Sequence, residues 1–260
     1  MTATAAVLYA GIDLGTSRSS ITASSGARHV VDSYVGWPVD MVARKVLKRQ
    51  VLIGREALDN RVMLDLHRPL ERGLVKEGSE KDLIAVRELL SHLLGLATAE
   101  VGGKGEPKVR AVVGVPAEAL RVNKQHLRNA MKGLTDSLMI VSEPFAVAYG
   151  MDALLHALVI DIGAGTSDFC VMNGRYPTDE DQRTLPQAGD WVDEQLARLV
   201  RERYPEARFS IHMVREWKEN GSFVGAAQAP LVVTAPIAGK PTQLDITNEM
   251  RTACEALLRP

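Results

Sequence analysis

Two short stretches carry residues that could do chemistry together. In "GIDLGTSRSS", Asp13 closes an apolar run and is followed by Gly15, Thr16 and Ser17. In "VIDIGAGTSDF", Asp161 closes a second apolar run and is followed by Gly163, Gly165 and Thr166. Glycine lets backbone N–H groups approach an anion closely, and small hydroxyls supplement those donors. The two turns therefore read as two sides of a phosphate clamp. Each also begins with an acid at a strand end. Two carboxylates facing a triphosphate suit a hydrated Mg²⁺, which keeps several waters and needs few direct protein ligands. One such turn alone reads equally as an ordinary tight hairpin; its recurrence in matching strand context favours the clamp. Glu143, in "SLMIVSEP", is the third acid at a strand end. A carboxylate there can orient or deprotonate a water. It can equally be a first-turn helix charge favoured by the helix dipole, with Pro144 after it.

The elements that must position these residues alternate between strand and helix. A strand over Val7–Ile12, a turn over 13–17 and a returning strand over Ser19–Ser24 make the first hairpin. Further strands are expected at Val30–Val35 and Val51–Ile53, with a weak helical period in "VDMVARKVLKR" and a short helix from Gly54. "PLERGLV" reads as a loop punctuated by Pro69 and Gly73. "SEKDLIAVRELLSHLLGLA" is the clearest helix, with Ser79 as its N-cap and Leu83, Val86, Leu90 and Leu93 in helical spacing. The connector "EVGGKGEP" leads to a buried strand "VRAVVGVP" stopped by Pro116. Then come a helix "AEALRVNKQHLRNAMKGL", a strand ending at Glu143 and a helix "FAVAYGMDALL". The second hairpin spans 158–172. An amphipathic helix follows with Trp191, Leu196, Leu199 and Val200 on its apolar side. A helix "MVREWKENGSFVG", the strands "APLVVTAPI" and "TQLDIT", and a last helix from near Asn248 complete the chain. This alternation implies an α/β fold, and the two similar hairpins imply an internal duplication with a hinge near residue 150.

Bulk properties exclude several classes. The 260 residues carry a net charge of -1, so no overall basic field recruits nucleic acid. Hydrophobic residues at 46% and charged residues at 24% are ordinary for a globular chain. No stretch reaches the roughly 20 apolar residues of a membrane helix. The N-terminus has no basic region of a signal peptide. A cytoplasmic protein without direct membrane insertion is expected. Cys170 and Cys254 lack metal-ligand spacing and read as small buried hydrophobes. The six histidines show neither HxH nor HExxH spacing. Ser19 and Ser20 lack the context of a hydrolase nucleophile. Met131, Met139 and Met151 are expected in the core, and the charge run at 43–49 on a solvated face.

Taken together, "GIDLGTSRSS", "VSEPFAVAYG", "VIDIGAGTSDF" and "AGDWVDEQL" resemble the motifs of the actin-like ATPase superfamily. "EDQRTLPQAGDWVDE" and "KENGSFVG" resemble those of the bacterial actins that organise magnetosomes. The resemblance runs from about residue 8 to about residue 257. It implies the duplicated, ribonuclease H-like two-lobe fold of actins. Residues 1–150 would form the first lobe, with a small upper subdomain at 31–75. Residues 151–260 would form the second, with a small upper subdomain at 190–240. It implies ATP and Mg²⁺, with Asp13 and Asp161 holding the metal through water. Gly15, Thr16, Ser17, Gly163, Ala164, Gly165 and Thr166 would contact phosphates, and Glu143 would position the attacking water. Arg215, Lys218 and Glu219 match a segment that contacts the nucleoside; on their own they also fit a solvated helix face. The implied activity is ATP hydrolysis. The implied partners are other copies in a filament, a full-length actin-like paralogue and magnetosome-associated proteins.

The chain departs from that pattern at its end. Actin-like chains usually continue past the "ACEAL" helix into a glycine-rich adenosine motif, whereas here the only paired glycines are Gly102 and Gly103. An incomplete second lobe is therefore expected, with uncovered apolar surface on the strand "LVIDI". Other readings stay open beside the filament-forming ATPase: a paralogue that modulates a full-length filament without turnover, and a kinase or chaperone of the same superfamily.

Overall fold

The computed structural model describes residues 6–72, 74–75, 80–101 and 107–258. Gly73, Ser79 and the Gly102-Gly103 pair, with most of the "EVGGKGEP" connector, lie outside the described residues. The chain divides into two compact units, Met1–Gly163 with Asp168–Thr184, and Ala164–Ser167 with Leu185–Pro260.

The first unit is built on a mixed sheet. Its early strands are β1 (Val7–Leu14), β2 (Arg18–Ala23) and β3 (Arg28–Asp32). A second, small sheet follows: β4 (Val35–Pro38), helix α1 (Met41–Leu47), β5 (Leu52–Ile53), helix α2 (Arg55–Asp59) and β6 (Leu64–His67). The two-residue strands β7 (Leu70–Glu71) and β8 (Leu74–Val75) pair antiparallel. The loop expected in "PLERGLV" is thus a minimal hairpin, with Arg72 at φ +52° in the left-handed region. Helix α3 (Glu80–Ala99), β9 (Lys108–Val115), α4 (Arg121–Met131), β10 (Ser137–Ser142) and α5 (Glu143–Gly150) continue the unit. The hairpin β11 (Leu155–Ile162) and β12 (Ser167–Asn173) then pairs with β13 (Gln182–Leu185) in a three-stranded sheet.

The large sheet has the order β10-β9-β1-β2-β3, with β1, β9 and β10 mutually parallel and the β1-β2-β3 meander antiparallel. Strict alternation in β1 places Leu8, Ala10, Ile12 and Leu14 on the buried face. Against that face α3 turns Val86, Leu89, Leu90 and Leu93, all fully buried, at helical spacing. Helix α4 adds Leu127, Ala130 and Met131. It starts later than its apolar pattern suggests, because residues after Pro116 form a turn (Ala119 N–H to the Pro116 carbonyl, 3.1 Å) and the Asn123 side chain caps Leu120 N–H at 3.1 Å. Met131 is core, but Met139 and Met151 are exposed. Met139 alternates onto the open face of β10, and Met151 follows the last turn of α5. The expected strand over Val30–Val35 breaks after Ser33, whose N–H makes the last bond in register, to the Ser17 carbonyl at 2.9 Å; Tyr34 N–H then turns back to the Asp32 carbonyl at 2.8 Å. Strands β6 and β13 escaped the pattern because "LDLH" and "QRTL" are four residues each, too short for an alternation to stand out.

The second unit packs helices α6 (Gly189–Arg203), α7 (Ile211–Gly221) and α8 (Thr247–Ala256) with the hairpin β14 (Val232–Ile237) and β15 (Lys240–Asp245). Its core joins Leu196, Val200, Val214, Ala235, Ile246 and Met250. Cys170 and Cys254 are buried in the first and second unit respectively, each as a free thiol. Leu155, Leu158, Ile160 and Ile162 of β11 are more than half exposed. No helix among the described residues is long and apolar enough to cross a membrane.

Candidate functional site

Alternation in β1 decides where Asp13 goes. It shares a face with Gly11, opposite the buried Leu8, Ala10, Ile12 and Leu14, and so lies on the open side of the sheet. Register then sets its neighbours. Asp13 stands opposite Ser20 on β2 and Gly114 on β9, while Gly11 stands opposite Thr22 and Val112. These two rows line a cavity of ≈ 350 Å³ together with Val141, Ala146, Val147, Glu143 and Asp161. All of these residues belong to the first unit.

Glu143 enters this cavity because β10 ends at Ser142 and α5 begins at once, with Pro144 in its first turn. Proline suits that position, where its missing N–H would have had no helical partner. Gly114 makes the room: a Cβ there would come within 3.0 Å of the Glu143 Cγ. Burial pushes the Glu143 carboxyl up to about 9, and the charges of Asp13, Asp168 and Asp161 push the same way. Asp13 is raised by burial and by Asp161, and Asp161 by burial and by Asp168. Every charged neighbour that moves these three groups is another carboxylate. Such a set favours a cation from outside the chain. Among the described residues no three His, Cys, Asp or Glu side chains are close enough to chelate a bare ion. The hard oxygen donors of Asp13 and Asp161 therefore fit a divalent cation that keeps its own waters.

The first turn, Gly15-Thr16-Ser17, joins β1 to β2. Gly15 is obligatory there, because a Cβ would overlap the Arg18 carbonyl. The second turn follows Asp161 and Gly163. Its residues Ala164–Ser167 group with the second unit, where the Ala164 carbonyl accepts from Asp190 N–H at 2.7 Å and Ser167 Oγ donates to the Gln187 carbonyl at 2.7 Å. Gly165 lies between these anchors, and Thr166 is buried.

Comparison with known proteins gives this arrangement a family. Residues 8–242 match the family described as MreB/Mbl protein. The chain belongs to the MreB/Mbl family. It is 40% identical over 251 residues to the actin-like protein MamK of Paramagnetospirillum magneticum, covering 96% of this chain and 71% of that one. A MamK double helical filament superposes with a TM-score of 0.91 at 39% identity, covering 97% of this chain and 76% of the other. A non-polymerising MamK mutant bound to AMPPNP matches at a TM-score of 0.68 and 38% identity, covering 98% of this chain and 78% of that one. The actin-like α/β fold expected from the motifs is the fold of these relatives.

In this MreB/Mbl chain the remaining expected site residues lie on α7 of the second unit. Arg215 and Lys218 are mostly buried and engaged there. The Arg215 guanidinium meets Asp190 at 3.0 Å and Asp193 at 3.3 Å. The Lys218 ammonium meets Asp193 at 2.8 Å and donates to the Gly189 carbonyl at 2.6 Å. Glu219 is exposed. Sequence reading missed Gly114 and Asp168. Asp168 is almost fully buried in β12, where it accepts from Ala117 N–H at 2.8 Å and Thr184 Oγ1 at 2.6 Å. The signal for Asp168 was present, since an acid within the apolar strand "SDFCVM" demands partners. Nothing local distinguished Gly114, whose role depends on Glu143 at the start of α5.

Proposed function

We propose that this chain binds and hydrolyses ATP, and that it assembles into actin-like filaments whose function is to position magnetosomes. One observation carries the catalytic part: Asp13, Glu143 and Asp161 converge on a single cavity in which they repel one another. In this reading Asp13 and Asp161 hold Mg²⁺ through its waters. When bound, that ion supplies positive charge against the phosphates and against the carboxylates. Gly15, Thr16 and Ser17 bind phosphoryl oxygens, as do Gly163, Ala164, Gly165 and Thr166. Glu143 orients the attacking water and takes its proton once ionised. Its raised proton affinity makes it a stronger base than an ordinary carboxylate. Positioning and charge neutralisation are most of what in-line phosphoryl transfer requires. Arg215 and Lys218 reach a nucleoside in this reading while remaining tied to Asp190 and Asp193, with Glu219 beside them.

The filament part rests on the relatives, one of which is a double helical filament and another of which holds AMPPNP. The test uses the chain itself and Glu143→Ala. Mg-ATP should raise the melting temperature of both, since a ligand that binds only the folded state stabilises it. Phosphate release should be lost in Glu143→Ala alone. ATP should drive the parent into pelletable filaments visible by negative stain. Turnover that survives Glu143→Ala removes the catalytic assignment; a pellet-free parent at high concentration removes the filament.

A further inference from the structure

The backbone of the Gly15-Thr16-Ser17 turn is held at every carbonyl. The Gly15 carbonyl accepts from Ser33 Oγ at 2.7 Å. The Thr16 carbonyl accepts from Arg68 Nε at 3.0 Å. The Ser17 carbonyl accepts from Ser33 N–H at 2.9 Å. Ser33 is fully buried, and so is Ser19, whose hydroxyl lies 2.8 Å from Ser33 Oγ. With Ser33 donating to Gly15, Ser19 donates to Ser33, so the pair forms a directed chain that ends on the turn. Neither Ser33 nor Arg68 is near in sequence to the carbonyls it holds. Ser33 comes from the junction of β3 and β4, and Arg68 from the residue after β6.

A planar trans peptide points each N–H opposite the preceding carbonyl. A carbonyl held by a donor is therefore also an N–H with a set direction. We propose that Arg68 and Ser33 are positioning residues. By holding the three carbonyls of 15–17 they preset the N–H groups of Thr16, Ser17 and Arg18 to receive the phosphoryl oxygens of a nucleoside di- or triphosphate. This rests on the nucleotide-binding reading above and extends it to residues outside the turn. The small sheet β5-β4-β6 thus contributes to phosphate affinity without touching phosphate. Arg68 acts through its Nε hydrogen bond rather than by its charge.

Two substitutions separate those roles. Arg68→Met keeps the stem, ends in a methyl where Nε stands and so removes the donor. Arg68→Gln places an amide nitrogen where Nε stands, keeping the donor and losing the charge. Hydrogen–deuterium exchange of the segment around 15–18, read without nucleotide, should accelerate in Arg68→Met and stay at the parent rate in Arg68→Gln. Binding of Mg-ADP, by titration, should weaken about tenfold in Arg68→Met and stay within about twofold in Arg68→Gln, as one lost hydrogen bond implies. Ser33→Ala should weaken Mg-ADP to a similar degree. Adenosine binding should not change in any variant. Equal exchange and equal affinity in parent and Arg68→Met would overturn the proposal. So would an Arg68→Gln as weak as Arg68→Met, or a matching loss of adenosine, because those point to charge or to general destabilisation. A parent that binds no nucleotide sinks the ATP reading, and with it the phosphate part of this inference; the exchange experiment still decides whether Arg68 fixes the turn.

Discussion

Two acidic clusters in this molecule are built in opposite ways. In the second unit Asp193 is fully buried, and Lys218 and Arg215 oppose the upward push of that burial. The cluster is complete within the chain. In the first unit Asp13, Glu143 and Asp161 share a cavity and have only carboxylates among the charges that shift them. The first arrangement is what a folded protein needs to bury a charge. The second raises the energy of the folded state at neutral pH and is relieved only by protons or by a cation from outside. A cluster that is not neutralised internally is where binding is to be sought.

The largest effect is expected where the internal neutralisation is broken. Lys218→Met leaves Asp193 buried with one cation fewer and should cost about 3 kcal/mol in urea unfolding. Adding Asp193→Leu should recover part of that loss. If Lys218→Met unfolds like the parent, the second cluster is not the self-contained structural pair described above.

Glu143→Gln should do the reverse. Burial pushes the folded carboxyl up to about 9 from an ordinary 4.5, so the folded state holds the proton more tightly. Its stabilisation is fully present below pH 4.5 and is lost as pH rises through 9. The nucleotide-free protein should therefore melt progressively lower between those limits, and Glu143→Gln should flatten that slope and melt several degrees higher near pH 8. A parent melt that does not vary with pH there would mean the carboxylates are already neutralised. A smaller effect sharpens the same contrast. Because a bound cation competes with those protons, Mg²⁺ dependence of nucleotide binding should strengthen as pH rises from 6 to 8, by isothermal titration at each pH. Gly114→Ala should be the mildest change, costing about 1 kcal/mol as its Cβ presses on Glu143, while lowering phosphate release more than it lowers stability. An Ala variant with parent turnover would show that Glu143 has room to spare.

Much of the fold was legible because apolar periodicity is a local property. The alternation of β1, the helical stripe of α3 and the amphipathic α6 can be counted along the chain. Four-residue strands such as β6 and β13 were not legible, since pairing rather than a long alternation makes them strands. Met139 and Met151 were misplaced for a related reason, as residue type says little about which face of a strand or which side of a helix end a side chain takes. The candidate site divides in the same way. Both glycine turns and all three strand-end acids could be named from residue type and position. Gly114 and Asp168 could not be given a role, because each acts on a residue brought to it by register or by a crossover.

The amino-acid sequence by itself determined the order of elements, the two acid-led turns and the resemblance that leads to the MreB/Mbl family. These follow from short-range rules: side-chain period, the freedom of glycine, and a carboxylate at a strand end. Only the tertiary structure decided that Asp13, Glu143 and Asp161 share one cavity in which the charges that shift them are carboxylates, that Lys218 and Arg215 are already tied to Asp190 and Asp193, and that Ser33 and Arg68 hold the carbonyls of a turn far from them in the chain. Charge interaction and hydrogen bonding depend on distance in space, and that distance is set by strand register and packing.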